Sequence, residues 1–289
     1  MLTATQQLAW QQDGCLVLPG FNTSQEIAAL RQRALEIVDC FDPMESKTVF
    51  TTNDQTRTAD DYFMGSAATI RCFFEEEAFD TQGELKQAKV LSINKIGHAL
   101  HDLDPIFDAF SRTGALAQLA ADLGLAEPQI WQSQYIFKQP GIGGEVRWHQ
   151  DATFFETIPI TVTTFWFALE DATLENGCLW AEPGGHRGQR GVLRERFVRT
   201  DAAKNGVARS PVAMEKLDAT PWPDASNAVA LEVAAGSLVV FHGLLPHYSA
   251  ANRSARSRHA YTLHITDGRS VYSPRNWLQR GAAMPVRGF

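Results

Sequence analysis

His149, Gln150 and Asp151 stand together in the middle of the chain, and His247 follows nearly a hundred residues later. Two imidazoles and one carboxylate can occupy one face of an octahedral ferrous ion and leave the other face open. That is the ligand set of non-haem Fe(II) oxygenases, whose open positions admit a co-substrate and O2. In a strand, residues i and i+2 project to the same side. His149 and Asp151 are therefore expected to share one metal while Gln150 points away. The third ligand must come from elsewhere, and His247 lies beyond the apolar run Leu238-Val239-Val240-Phe241 and the bend Leu244-Leu245-Pro246. His242 competes for that role but sits inside the strand and reads as a core or supporting residue. His264 reads as core, and His98, His101, His186 and His259 as surface or packed residues. An HxD pair alone is common, so the elements around it matter.

Those elements change character along the chain. Residues 3–13 predict a short helix ended by Gly14, and Cys15-Leu16-Val17-Leu18 a buried strand. Thr23-Ser24-Gln25-Glu26 is a capping box, in which hydroxyl and carboxylate each satisfy a free amide at a helix start. Ile27, Leu30, Ala34 and Ile37 continue it at helical spacing to about Cys40. Residues 41–68 are polar and predict a long, mobile segment. A strand is expected at 70–74, a helix at 92–103, another opened by Pro105, and a third over 113–123. From Gln129 the period becomes strand-like, with strands expected at 129–139, 147–155, 162–170, 178–182, 229–233, 237–242 and 259–266. Short strands broken by Gly, Pro and Asn indicate a sandwich or barrel. Residues 188–228 are long, charged and proline-containing, as lids and binding loops often are.

The 289 residues are 44% hydrophobic and 20% charged, an ordinary globular composition, with net charge −7. That charge disfavours a nucleic-acid partner. No run approaches the roughly 18 apolar residues of a membrane span. The N-terminus shows no basic region followed by an apolar block, so a cytoplasmic protein is expected. Cys15, Cys40, Cys72 and Cys178 are scattered without a CxxC pair and read as reduced thiols. Neither charge nor pattern decides between monomer and oligomer.

Several blocks resemble the phytanoyl-CoA dioxygenase (PhyH) family. They are Trp148-His149-Gln150-Asp151, the run from Leu169 through Glu175-Asn176-Gly177-Cys178 to Trp180, Pro183-Gly184-Gly185-His186, and the run from Pro246-His247-Tyr248-Ser249 to Arg258. Further matching blocks are Asn94-Lys95-Ile96-Gly97-His98, Tyr135 to Pro140, and Asn276-Trp277-Leu278-Gln279. The resemblance spans nearly the whole chain, and is weakest over 41–60 and 190–228.

The resemblance implies one domain over 1–289 with a double-stranded β-helix (jelly-roll, cupin-like) core, mainly β with flanking helices. A helical part would cover about 1–128, the barrel about 129–270, and a lid-like insertion about 188–228. It implies Fe(II) held by His149, Asp151 and His247, with 2-oxoglutarate and O2 as co-substrates and succinate and CO2 as products. Arg258, eleven residues after His247, would bind the distal carboxylate of 2-oxoglutarate, a role suited to a planar guanidinium that stays charged when buried. Arg256 is the near alternative. Ser249 would add a hydroxyl, Lys95, expected on an amphipathic helix, would help hold the co-substrate, and Trp166 would line its pocket. Gln134 stands where the family has an apolar wall residue. Asp151 argues against halogenation, since halogenating relatives carry a small residue there. Phe154, Phe155, Phe165 and Phe167 are mostly core, with one or two available for a substrate wall. Arg147 and Lys138 are candidates for an anionic substrate. The expected activity is hydroxylation of a small molecule. Desaturation, epimerisation or other oxidative tailoring, a non-catalytic metal-binding sensor, and a zinc hydrolase are the alternatives.

Overall fold

The computed structural model describes residues 2–50, 60–200, 203–204, 207–208 and 210–289. Two antiparallel sheets carry the architecture. The larger has seven strands in the spatial order Cys15–Leu18, Leu238–His242, Thr163–Ala168, Ala260–Asp267, Pro128–Ile136, Ile93–His98 and Ile70–Phe74. The smaller has four, Val229–Leu231, Leu179–Ala181, His247–Ser249 and Val146–His149. This is the mainly β jelly roll expected, with helices on one side.

Strand alternation explains how one sheet serves two purposes. Phe165, Phe167, Tyr261, Leu263, Ile265, Leu238 and Val240 face the helices and pack on Ile27, Leu30, Ala34, Phe107, Phe110 and Leu119. Their neighbours Trp166, Ala168, Val239, Phe241 and Ala260 face the smaller sheet and pack on Leu179, Ala181 and Leu245. Thr163–Ala168 is buried along its whole length because both of its faces are covered. The helix Ser24–Cys40 starts at Thr23 with the expected capping box and presents Ile27, Leu30, Ala34 and Val38 inward.

Several expectations are corrected. The segment 92–103 is not one helix: Ile93–His98 is a strand, followed by the short helix Leu100–Leu103. Ile93, Ile96 and Leu100 have helical spacing, but pairing with Ile70–Phe74 on one side and Pro128–Ile136 on the other prevails over that local pattern. The N-terminal part thus contributes three strands to the large sheet as well as helices. The strand expected at 147–155 ends at His149, and Asp151–Thr153 form a turn of 3-10 helix. Within the expected mobile segment 41–68, residues 51–59 lie outside the described residues, and Asp61–Gly65 is a short helix. The 188–228 insertion is not simply a loop: Glu195–Arg199 pairs with Val212–Lys216 as an antiparallel ribbon. No helix among the described residues is long and apolar enough to cross a membrane.

Candidate metal and co-substrate site

Between the two sheets lies a cavity of about 670 Å3. His149 and His247 sit directly opposite each other on neighbouring strands of the small sheet. Asp151 reaches the same point from the turn that follows. Its Oδ1 lies 3.7 Å from Nε2 of His149 and 3.7 Å from Nε2 of His247. The i, i+2 expectation places both side chains correctly, although the strand itself is shorter than expected. The ladder stops at His149, but the Gln150 backbone stays extended, so Asp151 still projects to the side of His149 before the 3-10 turn begins.

The atoms behind the donors set their chemistry. His149 Nδ1 is 2.7 Å from the Arg147 carbonyl, and His247 Nδ1 is 3.0 Å from the Leu245 carbonyl. A carbonyl only accepts, so each Nδ1 carries the proton and each Nε2 presents a lone pair. Thr164 donates to Asp151 Oδ2 and leaves Oδ1 facing the two imidazoles. Burial pulls the His149 pKa down to about 3, and the neighbouring His247 adds to this. The three histidines around it, against the cost of burial, hold the Asp151 carboxyl well below its usual range. Two imidazoles whose Nδ1 atoms are engaged by carbonyls, and a carboxylate with Oδ1 left free, thus face one point.

One donor atom from each of His149, Asp151 and His247 can be chosen so that all lie within 4.8 Å of one another. Ligand bonds of about 2.1 Å hold neighbouring donors of an octahedral ion roughly 3 Å apart, so each of the two 3.7 Å carboxylate–imidazole gaps needs to close by less than an ångström. The residues fit a divalent metal with an open face. Gln150 points away, as expected, and is buried. Its amide donates to the Leu244 and Val192 carbonyls and accepts from Arg194 N–H, tying the triad to the 188–228 insertion.

Arg258 is 1% exposed, and its Nε and Nη1 have no partner among the described residues. Its guanidinium carbon lies 5.3 Å from the Trp166 ring, and Nη2 is 3.4 Å from Ser249 Oγ. Burial lowers its pKa to about 10, so it stays charged at neutral pH. Two orphan donors on a buried cation call for an anionic ligand. Arg256 is exposed at the surface, which removes it as the alternative.

Lys95 lies on a strand, not on the expected helix, and is 6% exposed. Its Nζ reaches Gln134 Oε1 at 3.4 Å and sits 3.2 Å above the Phe50 ring. Burial lowers its pKa to about 7. Gln134 faces the cavity one strand away from Thr262, which in turn neighbours Trp166. Lys138 is buried and donates to the Gly144 carbonyl, so it is no surface cation.

Three groups escaped the reading of the sequence. His264 is not simply core: its Nε2 lies 3.7 Å from Asp151 Oδ1, and its ring stacks on Phe155. His98 lines the cavity, as does Glu195 from the insertion. The strand alternation that puts Thr262 and His264 on one face was the available signal for His264. Among the phenylalanines, Phe154 and Phe155 line the cavity, whereas Phe165 and Phe167 are core. His242 is turned away towards Trp10 and His186. The four cysteines are free.

A model of the phytanoyl-CoA dioxygenase (PhyH) family matches residues 10–260. The chain belongs to this family. It is 45% identical over 285 residues to a phytanoyl-CoA dioxygenase of Arabidopsis thaliana, covering 98% of this chain and 95% of the plant protein. It is also 45% identical over 291 residues to phytanoyl-CoA dioxygenase domain-containing protein 1 of Bos taurus, covering 98% and 97%. Among solved structures, the non-haem alpha-ketoglutarate-dependent carbocyclase SnoK from nogalamycin biosynthesis superimposes with a TM-score of 0.65 at 18% identity, covering 99% of this chain and 96% of that one. At that identity the likeness speaks for the PhyH chain's fold alone.

Proposed function

We propose that this PhyH protein is an Fe(II)- and 2-oxoglutarate-dependent oxygenase that hydroxylates a small molecule and releases succinate and CO2. The observation that carries the reading is the pairing of two features in one cavity: three convergent metal donors and a buried arginine with two unpaired nitrogens. A metal-binding sensor or a zinc hydrolase would have use for the first and none for the second.

Fe(II) bound with 2-oxoglutarate and O2 supplies the oxidising chemistry, and the chain supplies position and exclusion. His149, His247 and Asp151 would hold the ion. Backbone carbonyls and Thr164 keep the donor atoms aimed, the kind of support that metal sites depend on. Arg258 and Ser249 receive the distal carboxylate against the Trp166 ring, and Lys95 and Gln134 border the same compartment. Phe154, Phe155, Phe197 and Trp277 line the remaining wall and keep water from the reacting carbon.

The test is anaerobic. Fe(II) and then 2-oxoglutarate are added to metal-free protein, and the weak visible charge-transfer band of the chelate is sought. Its appearance is expected. Folded protein that binds iron but never develops the band would overturn the oxygenase reading.

A further inference from the structure

His98 is a buried imidazole that the proposed chemistry does not use. It is 1% exposed and borders the cavity. Its Nδ1 lies 2.7 Å from Ser66 Oγ. The Ser66 hydroxyl has one proton, and it donates that proton to the Phe63 carbonyl. Towards His98 the hydroxyl oxygen can therefore only accept. It follows that Nδ1 carries the imidazole proton and that Nε2 carries a lone pair.

That lone pair has no partner among the described residues. Among the described residues Nε2 makes no hydrogen bond, and it is not sealed off from the cavity that the ring borders. The ring is held by Phe63, Phe73 and Trp277, at centroid distances of 5.8, 5.5 and 5.2 Å. Burial, with Lys95, His264 and Arg280 nearby, keeps the ring neutral. His98 is thus near His264, whose own Nε2 is 3.7 Å from Asp151. A fixed acceptor in an aromatic compartment beside a metal site has one complementary partner, a hydrogen-bond donor on an otherwise apolar ligand.

We infer that His98, oriented by Ser66, recognises an O–H or N–H group on a neutral, largely apolar substrate and so places a nearby C–H at the metal. A carboxylate or phosphate oxygen would face the lone pair with like polarity. The inference rests on the oxygenase reading for the word substrate, but the binding contact stands without it.

Matched probes test the contact. Cyclohexanol with methoxycyclohexane, and 2-naphthol with 2-methoxynaphthalene, are titrated calorimetrically into full-length protein holding Fe(II) and 2-oxoglutarate without O2. At least one alcohol is expected to bind about tenfold or more tighter than its methyl ether, because a site built around a donor rejects the analogue that lacks it. His98→Phe should erase the preference while ether binding persists. Ser66→Ala, which frees the tautomer, should reduce it. 15N spectra of metal-free wild-type protein should show His98 protonated at Nδ1 and not at Nε2, a readout that needs no variant to fold. Equal affinities, no binding of any probe, a preference surviving in His98→Phe, or a proton on Nε2 would each overturn the inference. The charge-transfer band, recorded on the same sample, separates this failure from failure of the oxygenase reading.

Discussion

Arg258→Met tests the co-substrate site with two readouts of opposite sign. In the ligand-free protein the guanidinium is buried, two of its nitrogens are unpaired, and its one side-chain hydrogen bond, to Ser249, is long at 3.4 Å. Methionine fills much of the same volume and removes an uncompensated buried cation, a change that is often neutral or stabilising. Thermal stability without ligand should therefore hold or rise. In the complex the arginine would pair with a carboxylate, and truncating one partner of such a buried pair costs about 2–5 kcal/mol. Ser249 and Trp166 remain to hold the anion, which favours the lower half of that range. A loss of about 3 kcal/mol corresponds to a roughly 150-fold rise in the 2-oxoglutarate concentration required. Iron affinity, measured anaerobically, should change little. The assay is succinate release against 2-oxoglutarate concentration, beside a melting curve of the metal-free protein. Unchanged co-substrate dependence would refute the assignment. A large fall in stability without ligand would mean that Arg258 already has a structural partner.

Four further outcomes follow from the geometry. His149→Ala or Asp151→Ala should abolish succinate formation while circular dichroism stays native; normal turnover would dismiss the triad. Thr164→Val removes the hydrogen bond behind Asp151 and should weaken Fe(II) binding roughly 10- to 100-fold, checked by anaerobic titration. Gln150→Leu strands the Leu244 and Val192 carbonyls and the Arg194 amide, and should cost about 3 kcal/mol in chemical denaturation, since each buried orphan costs about 1–3 kcal/mol. Lys95→Met should stabilise ligand-free protein most below pH 7. Burial holds the Lys95 pKa at about 7 in the folded state, against roughly 10.4 unfolded, so the unfolded chain binds the extra proton between these values. Wild-type stability therefore gains as pH rises from 7 to 10, and the variant's advantage should vanish over that window in melting curves; an advantage independent of pH would contradict this.

The sequence by itself determined the chemistry of the site and the kind of fold. Ligand types are a matter of residue identity, so His149, Asp151 and His247 could be proposed as donors, and Arg258 by resemblance as their companion, without coordinates. Capping and periodicity likewise set the helix Ser24–Cys40 and most strands after Gln129, because those signals act over a few neighbouring residues. Tertiary structure decided what those signals do not reach. Lys95 belongs to a strand because two flanking strands pair with its backbone, a long-range gain that outweighs helical spacing. The segment carrying Asp151 is held in place by Gln150, whose three backbone partners lie more than forty residues away. Spacing already favoured Arg258 over Arg256, and burial separates them further: Arg258 is buried and Arg256 exposed. His98 and His264 were invisible as site residues because nothing local marks a cavity wall. Their significance comes from Ser66, Asp151 and the aromatic rings that only folding brings to them.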